Sequence, residues 1–287
     1  MMDLRMPKAS LAAFIARAPE ESPSLISTTR TIRLLSRLWT ASTSRRWPAS
    51  VNGAGDLVAV THTLEGAGGE TPLALYRFDN GVLSLLSTPD IPNWTPGHLL
   101  MDAAFHPELN ILALIDNTRP QLTLVEVVGE GEATRMKRWG TFEGGTAEHI
   151  LVSRAQVGVM PEGLAISPDG HWAVTANLER STPALDSPSQ GFFSSLSLLR
   201  VDAETGHLAT VGTYASDGIL PEGLVFDGSS RFVAATTFDR YDGRSPGGSV
   251  DFWRISGDHA DPGRVEFVKT SRSVPVTRGA HTIAIVR

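Results

Sequence analysis

A pattern that returns about every sixty residues constrains this chain more than any other feature. Pro161-Glu-Gly-Leu-Ala-Ile-Ser-Pro-Asp-Gly-His-Trp-Ala-Val-Thr-Ala-Asn177 aligns without gaps with Pro221-Glu-Gly-Leu-Val-Phe-Asp-Gly-Ser-Ser-Arg-Phe-Val-Ala-Ala-Thr-Thr237. Ala103–Asp116 and Ser50–His62 fit the same frame upstream, and His281-Thr-Ile-Ala-Ile285 matches the start of the unit. The five copies are phased at spacings of 54, 61, 60 and 59 residues. Self-similarity at that period marks a repeat architecture.

Each unit reads as short strands. Gly163–Ser167 and His171–Asn177 flank a Ser-Pro-Asp-Gly turn, whose Pro and Gly supply the backbone angles a tight reversal requires. A second hairpin is expected in every full unit: Leu73–Phe78 with Gly81–Ser87, Gln121–Val128 with Ala133–Trp139, Ser195–Val201 with His207–Tyr214, and Ser249–Ile255 with Arg264–Thr270. Period-two alternation and Gly/Pro punctuation exclude a helical solenoid. Four antiparallel strands per repeat is the sequence form of a β-propeller blade. The expected fold is therefore all-β, a propeller of four-stranded antiparallel blades over 47–287, with about four full blades plus one inner strand.

That count sets up a question of closure. Residues 47–287 hold one inner strand beyond the fourth blade, so the expectation is either a five-blade closure or an open arc of a seven-bladed parent. Residues 1–46 form a separate arm: residues 1–50 carry eight basic and three acidic side chains and 13 Ser/Thr. Thr31–Trp39 is its best strand candidate. The arm lacks the 7–15-residue apolar segment of a secretory signal, because Leu11–Ala16 has only six residues. Its Arg- and Ser-rich character also resembles an organelle leader, interrupted by Glu20-Glu21.

Composition narrows the partners. With no Cys among 287 residues, a disulfide framework and a Cys-based zinc site are excluded, and both cytoplasm and periplasm are permitted. A formal net charge of -6 argues against nucleic acid, which is bound by clustered Lys and Arg that release counterions. No apolar run approaches the roughly 20 residues needed to span a bilayer. Gly-x-Ser-x-Gly, P-loop and His-Glu-x-x-His motifs are absent.

The segments Ala104-Phe-His-Pro-Glu and Pro161-Glu-Gly-Leu-Ala-Ile-Ser-Pro-Asp-Gly-His-Trp-Ala-Val-Thr-Ala-Asn resemble those of the lactonase-type (6-phosphogluconolactonase-like, YVTN) bacterial β-propellers. The resemblance covers about 47–287 and departs from the family in two ways. The Tyr-Val-Thr-Asn strand appears as Ala-Val-Thr-Ala-Asn, and the blade count falls short of the family's usual seven. What it implies is a hydrolase acting on a small sugar lactone or related ester.

A propeller gathers function at the mouth of its central channel, so the repeat nominates residues by position. The starts of the inner strands contribute Trp47, Met101 with Asp102, Glu162, Glu222 and His281, and the ends of the second strands contribute His62, Asp116, Asn177 and Thr237. Glu162, Glu222 and His281 are the catalytic candidates. Glu162, Glu222 and Asn177 are candidate ligands for one divalent cation, calcium, magnesium or zinc, which would polarise an ester carbonyl. The structural alternative is that each Pro-Glu-Gly is a turn whose Glu accepts backbone N–H bonds. His106 and His171 lie by the inner hairpin turns and are read as solvent-facing.

Two long connections, Leu178–Gln190 and Phe238–Gly248, exceed ordinary hairpin loops. They bring Arg180 and Arg240 to the rim as ligand-binding candidates, with His62, Asp102, Asp116 and Asn177. Ile91–His98 could add an aromatic platform through Trp94. Beside lactone hydrolysis stands a second reading: a non-catalytic propeller that binds a protein or small ligand through its loop-rich face.

Overall fold

The computed structural model describes residues 46–62, 72–92, 99–129, 138, 142, 145–184 and 186–285, with backbone alone at 46–48, 62 and 262. The arm over 1–45, Thr31–Trp39 within it, Trp94 and the side chains of Trp47 and His62 therefore lie outside the described residues. Among the described residues sixteen strands form four four-stranded sheets, each an up-and-down meander in chain order. Blade 1 is β1 (Arg46–Val51), β2 (Leu57–His62), β3 (Leu73–Asp79) and β4 (Val82–Ser87). Blade 2 is β5 (Leu100–Phe105), β6 (Ile111–Asp116), β7 (Gln121–Gly129) and β8 (Ala147–Gln156). Blade 3 is β9 (Pro161–Ile166), β10 (Trp172–Asn177), β11 (Phe193–Val201) and β12 (Leu208–Asp217). Blade 4 is β13 (Leu224–Phe226), β14 (Phe232–Thr237), β15 (Gly247–Ser256) and β16 (Glu266–Thr277).

Pairing is antiparallel throughout, and the innermost strands β1, β5, β9 and β13 pack side by side in sequence. The propeller arrangement expected from the repeat is present. No comparable packing joins β1 to β13 among the described residues.

Alternation along each strand sends one set of side chains to the preceding blade and the other to the next. Leu57, Ala59, Leu73 and Leu75 meet Leu112, Leu114, Val125 and Val127 between blades 1 and 2. Ile111, Ala113, Leu122 and Leu124 meet Leu164, Ala173, Leu199 and Val201 in the next seam. Trp172, Val174, Leu196 and Leu198 meet Val233, Ala235, Trp253 and Ile255 in the third. Each fully buried aliphatic side chain contributes about 1.5–3 kcal/mol, so these dry seams hold the blades in place. On the far face of blade 4, Phe232, Val268 and Val274 stay exposed.

Three expectations need correction. The outer strand of blade 2 is Ala147–Gln156, not Ala133–Trp139. It pairs with β7 from Gln121↔Gln156 to Gly129↔Ala147, and its Ala147, Val152 and Ala155 pack into the seams. Of the expected segment only Arg138 is among the described residues; it forms an isolated bridge to Leu109 and an ion pair with Glu108 at 2.9 Å. Second, His281–Ile285 is not a strand. It still runs where the repeat puts it, because a Cβ on Gly223 would stand 2.7 Å from His281 O and 3.0 Å from Ile283 N.

Third, His106 is buried rather than solvent-facing. Its Nδ1 accepts the Glu108 and Leu109 N–H groups, so Nε2 carries the proton and donates to Gly170 O at 3.0 Å. The imidazole thus straps the inner turn of blade 2 to that of blade 3. Burial pushes its pKa down. The turn it grips needs Gly170, which has φ 76°.

Candidate functional site

The chain enters the innermost strands of blades 3 and 4 through a repeated backbone device. Met160 (φ 55°) and Leu220 (φ 51°) both take left-handed conformations just before Pro161 and Pro221. Residues preceding proline normally stay extended, and a left-handed non-glycine residue costs on the order of 1–3 kcal/mol. The bends are held by the exits of the second strands: Leu178 N–H donates to Met160 O at 3.0 Å, and Phe238 N–H donates to Ile219 O at 3.1 Å. Each bend delivers a Pro-Glu-Gly to the channel mouth.

The glycine of that tripeptide is required by the next blade. A Cβ on Gly163 would collide with Glu222 O, just as one on Gly223 would meet His281 O. Backbone therefore passes against backbone, which places Glu162, Glu222 and His281 at successive positions around the mouth. Asp102 stands where Gly163 and Gly223 stand in their blades, and it solves the seam differently. Its Oδ2 accepts Leu164 N–H of blade 3 at 3.0 Å, and its Oδ1 accepts Ala103 N–H at 2.7 Å. Burial raises its pKa to about 7 against these two hydrogen bonds.

The three catalytic candidates are brought together. His281 Nδ1 hydrogen-bonds Glu222 Oε2, with the Glu222 side chain 12% and the His281 side chain 56% exposed. That bond raises the His281 pKa, opposed by burial and assisted by the charges of Glu222 and Glu162. Glu162 is pushed up to about 7, mainly by burial, then by repulsion from Glu222, with His281 pulling the other way. The Phe238 ring meets the His281 imidazole edge-on, centroids 5.4 Å apart. Among the described residues neither Glu162 nor Glu222 accepts a backbone N–H bond, the role the structural alternative gave them.

The remaining candidates are placed elsewhere on the rim. Asn177 is fully buried; its amide donates to Ser195 Oγ at 2.9 Å and Ser197 Oγ at 3.1 Å, and its oxygen accepts the Thr175 hydroxyl at 2.9 Å. Asp116 Oδ1 accepts Leu99 N–H, Thr118 N–H and the Thr118 hydroxyl. Arg180 is exposed where its long loop closes, its carbonyl accepting Gly191 N–H at 2.7 Å. Arg240 reaches Ser273 Oγ at 3.3 Å. The loop that carries it is pinned by Asp239, which pairs with Arg278 at 2.6 Å and caps Tyr241 N–H.

Sequence reasoning passed over a set of polar residues inside the upper ends of the seams. Ser195 Oγ donates to Glu179 Oε1 at 2.5 Å, and in blade 4 the buried Asp251 accepts Thr237, Ser249 and Lys269. Burial pushes the Asp251 pKa up, but hydrogen bonds from Ser273 and Lys269 and the charges of Lys269 and Arg240 outweigh it and keep the pKa down. The signal lay in the alternation of β11 and β15, where Ser195, Ser197, Ser249 and Asp251 hold positions whose partners further along, such as Leu199, Trp253 and Ile255, pack into the seams. Among the described residues no group of three or more His, Asp or Glu is arranged to hold a metal ion.

No protein-family model matches the chain, and no curated protein matches it. Solved structures do. A candidate 6-phosphogluconolactonase from Bacteroides uniformis superposes with TM-score 0.56 at 14% identity, covering 82% of this chain and 56% of that one. A periplasmic gluconolactonase from Pseudomonas aeruginosa gives TM-score 0.48 at 16% identity, covering 82% and 55%. Sqt1 from Chaetomium thermophilum, bound to the N-terminus of ribosomal protein L10, gives 0.48 at 13%, covering 75% and 46%. The chain spans about half the length of these proteins. The likeness to the first is one of fold, and it agrees with the lactonase-type resemblance read from the repeats.

Proposed function

We propose that the channel mouth hydrolyses a small lactone or related ester, with Glu162 as general base and the Glu222–His281 pair as proton donor. The supporting observation is the cluster itself: a carboxyl whose pKa is raised to about 7, beside an imidazole whose pKa is raised by its hydrogen bond to a second carboxylate. A base is most effective when its pKa lies near the working pH, and burial brings Glu162 into that range. In the proposed reaction Glu162 takes a proton from water as its oxygen bonds to the carbonyl carbon. His281 stabilises the charge on the carbonyl oxygen, and then protonates the departing alkoxide as the ring C–O bond breaks. Glu222 keeps His281 charged and aimed. No step is routed through a metal, because the described residues do not assemble a ligand set.

The same reading extends to the architecture. The seat of His281 and Ile283 beside Gly223 repeats the seat of Glu222 beside Gly163, which supports continuation of the ring past blade 4, as five blades or as an arc of seven. A second function is favoured by one feature of the loop-rich face. Phe192 and Phe193 are 53% and 50% exposed, and Phe192 packs against Tyr241 with centroids 5.1 Å apart, a surface suited to a protein or ligand partner. Hydrolysis of a panel of sugar and aliphatic lactones, with and without chelator, separates the two. Turnover that falls in both Glu162→Gln and His281→Gln supports the hydrolase; no turnover of any lactone by the wild-type chain would leave the binding function.

A further inference from the structure

We propose that the channel mouth selects uncharged lactones with a flat apolar part, and that Phe238 is the residue that selects them. This rests on the hydrolase reading above and narrows its substrate class. One apolar and one electrostatic feature of the mouth carry it.

Phe238 holds in blade 4 the place that Leu178 holds in blade 3, one residue past the second strand. Leu178 is 3% exposed, whereas Phe238 is only half-buried. Its backbone is fixed on both sides: Phe238 N–H donates to Ile219 O at 3.1 Å, and Gly279 N–H donates to Phe238 O at 3.2 Å. The ring is bounded by the segment that leads to His281, because a Cβ on Gly279 would stand 3.7 Å from Phe238 Cε2. Its edge-on contact with the His281 imidazole, centroids 5.4 Å apart, sets an apolar surface beside the proposed proton donor. An aromatic ring there offers the hydrocarbon part of a bound ester a large flat partner. Sugar hydroxyls laid against the same ring would lose water without gaining a hydrogen-bond partner from it.

The charges of the mouth work against an anion. Glu162 and Glu222 repel one another, which helps to hold a proton on Glu162. A phosphate or carboxylate on the substrate would add a third negative group. His281 is engaged with Glu222 through Nδ1, and Arg278, the cation that arrives on the same segment, pairs with Asp239 at 2.6 Å. Juxtaposed like charges cost affinity, and an uncharged lactone meets no such barrier.

The test is steady-state kinetics of the full chain on dihydrocoumarin, gluconolactone and phosphorylated gluconolactone, with each kcat/KM divided by the rate constant of that lactone's uncatalysed hydrolysis. Dihydrocoumarin is expected to exceed gluconolactone by at least about tenfold. The phosphorylated lactone is expected to fall below its parent by about tenfold, a gap that narrows as salt screens the mouth. Phe238→Leu should raise KM for dihydrocoumarin by about tenfold and collapse its advantage, and Phe238→Tyr, which keeps the ring, should retain it. Turnover of no lactone would overturn the hydrolase reading and this selectivity together. Turnover that favours either sugar lactone after that correction, or an advantage that Phe238→Leu leaves intact, overturns the selectivity alone.

Discussion

His281 Nδ1 and Glu222 Oε2 are hydrogen-bonded across the seam between blade 4 and the segment that follows it. The bond joins residues 59 positions apart that hold equivalent places in the repeat, so the ring geometry itself creates the pair. Because this bond raises the His281 pKa, removing the acceptor should lower it. In a lactonase assay, Glu222→Gln should shift the alkaline limb of the pH–rate profile toward neutrality and reduce kcat by about tenfold to a hundredfold. An alkaline limb that does not move would separate His281 from proton donation.

Glu162 makes the complementary prediction on stability. Its pKa is about 7 in the folded chain against 4.5 for an unperturbed glutamate, so the native state holds a proton that the unfolded state releases. The associated stability is fully present below pH 4.5 and is lost as pH rises through 7. Glu162→Gln should therefore be more stable than wild type at pH 8, by about 1–2 kcal/mol after allowing for solvent screening, and no different near pH 4. Urea midpoints at the two pH values check this.

Acid should attack blade 2 first. Burial lowers the pKa of His149 to about 4 and also depresses that of His106. Both imidazoles then contribute stability above the unfolded value of 6.5 that is lost as pH falls through their folded values. His149→Gln should flatten the decline in melting temperature between pH 6.5 and 4, removing roughly 2 kcal/mol of pH dependence. An unchanged slope would place the acid-sensitive group elsewhere.

Gly163→Ala should be severely destabilising, because the added methyl collides with the Glu222 carbonyl, a backbone atom that cannot rotate away. A loss of about 3 kcal/mol or more is expected, in the range of backbone overpacking. Gly145→Ala is the matched control, since its Cβ would meet nothing within 4 Å. Chemical denaturation of the two variants should separate them clearly.

Asp102→Ala should cost about 1–3 kcal/mol by leaving Leu164 N–H buried without its acceptor. Asp102→Asn keeps an oxygen at that distance and should recover most of the loss. If Asn and Ala behave alike in thermal melts, the carboxylate has a function other than joining blades 2 and 3.

The repeat carried most of the fold into view. Phased Pro-Glu-Gly and Ser-Pro-Asp-Gly segments located the inner hairpins, because few backbones other than a tight turn accept those residues in that order. It also brought Glu162, Glu222 and His281 to one place, since equivalent positions in a ring must be neighbours. What it misplaced was set by longer-range packing. The outer strand of blade 2 depends on β8 matching the length of β7, information that no local pattern in Ala133–Trp139 contains. His106 looked like a turn residue, because its partner Gly170 lies 64 residues away in the next blade. Asp102 resembled a rim ligand because its acceptor role is defined only once Leu164 is beside it.

The three apolar seams have a consequence for how the molecule comes apart. Each blade touches its immediate neighbours along the chain, so cohesion is a series of links. Among the described residues blades 2 and 3 are clamped from two sides and blade 4 from one, as in other stacked-repeat proteins. Amide exchange should then be slowest in β6 and β10 and should quicken toward β16, whose outward Val268 and Val274 are exposed. Loss of order would travel inward from blade 4 one blade at a time, like a row of books after an end support is removed.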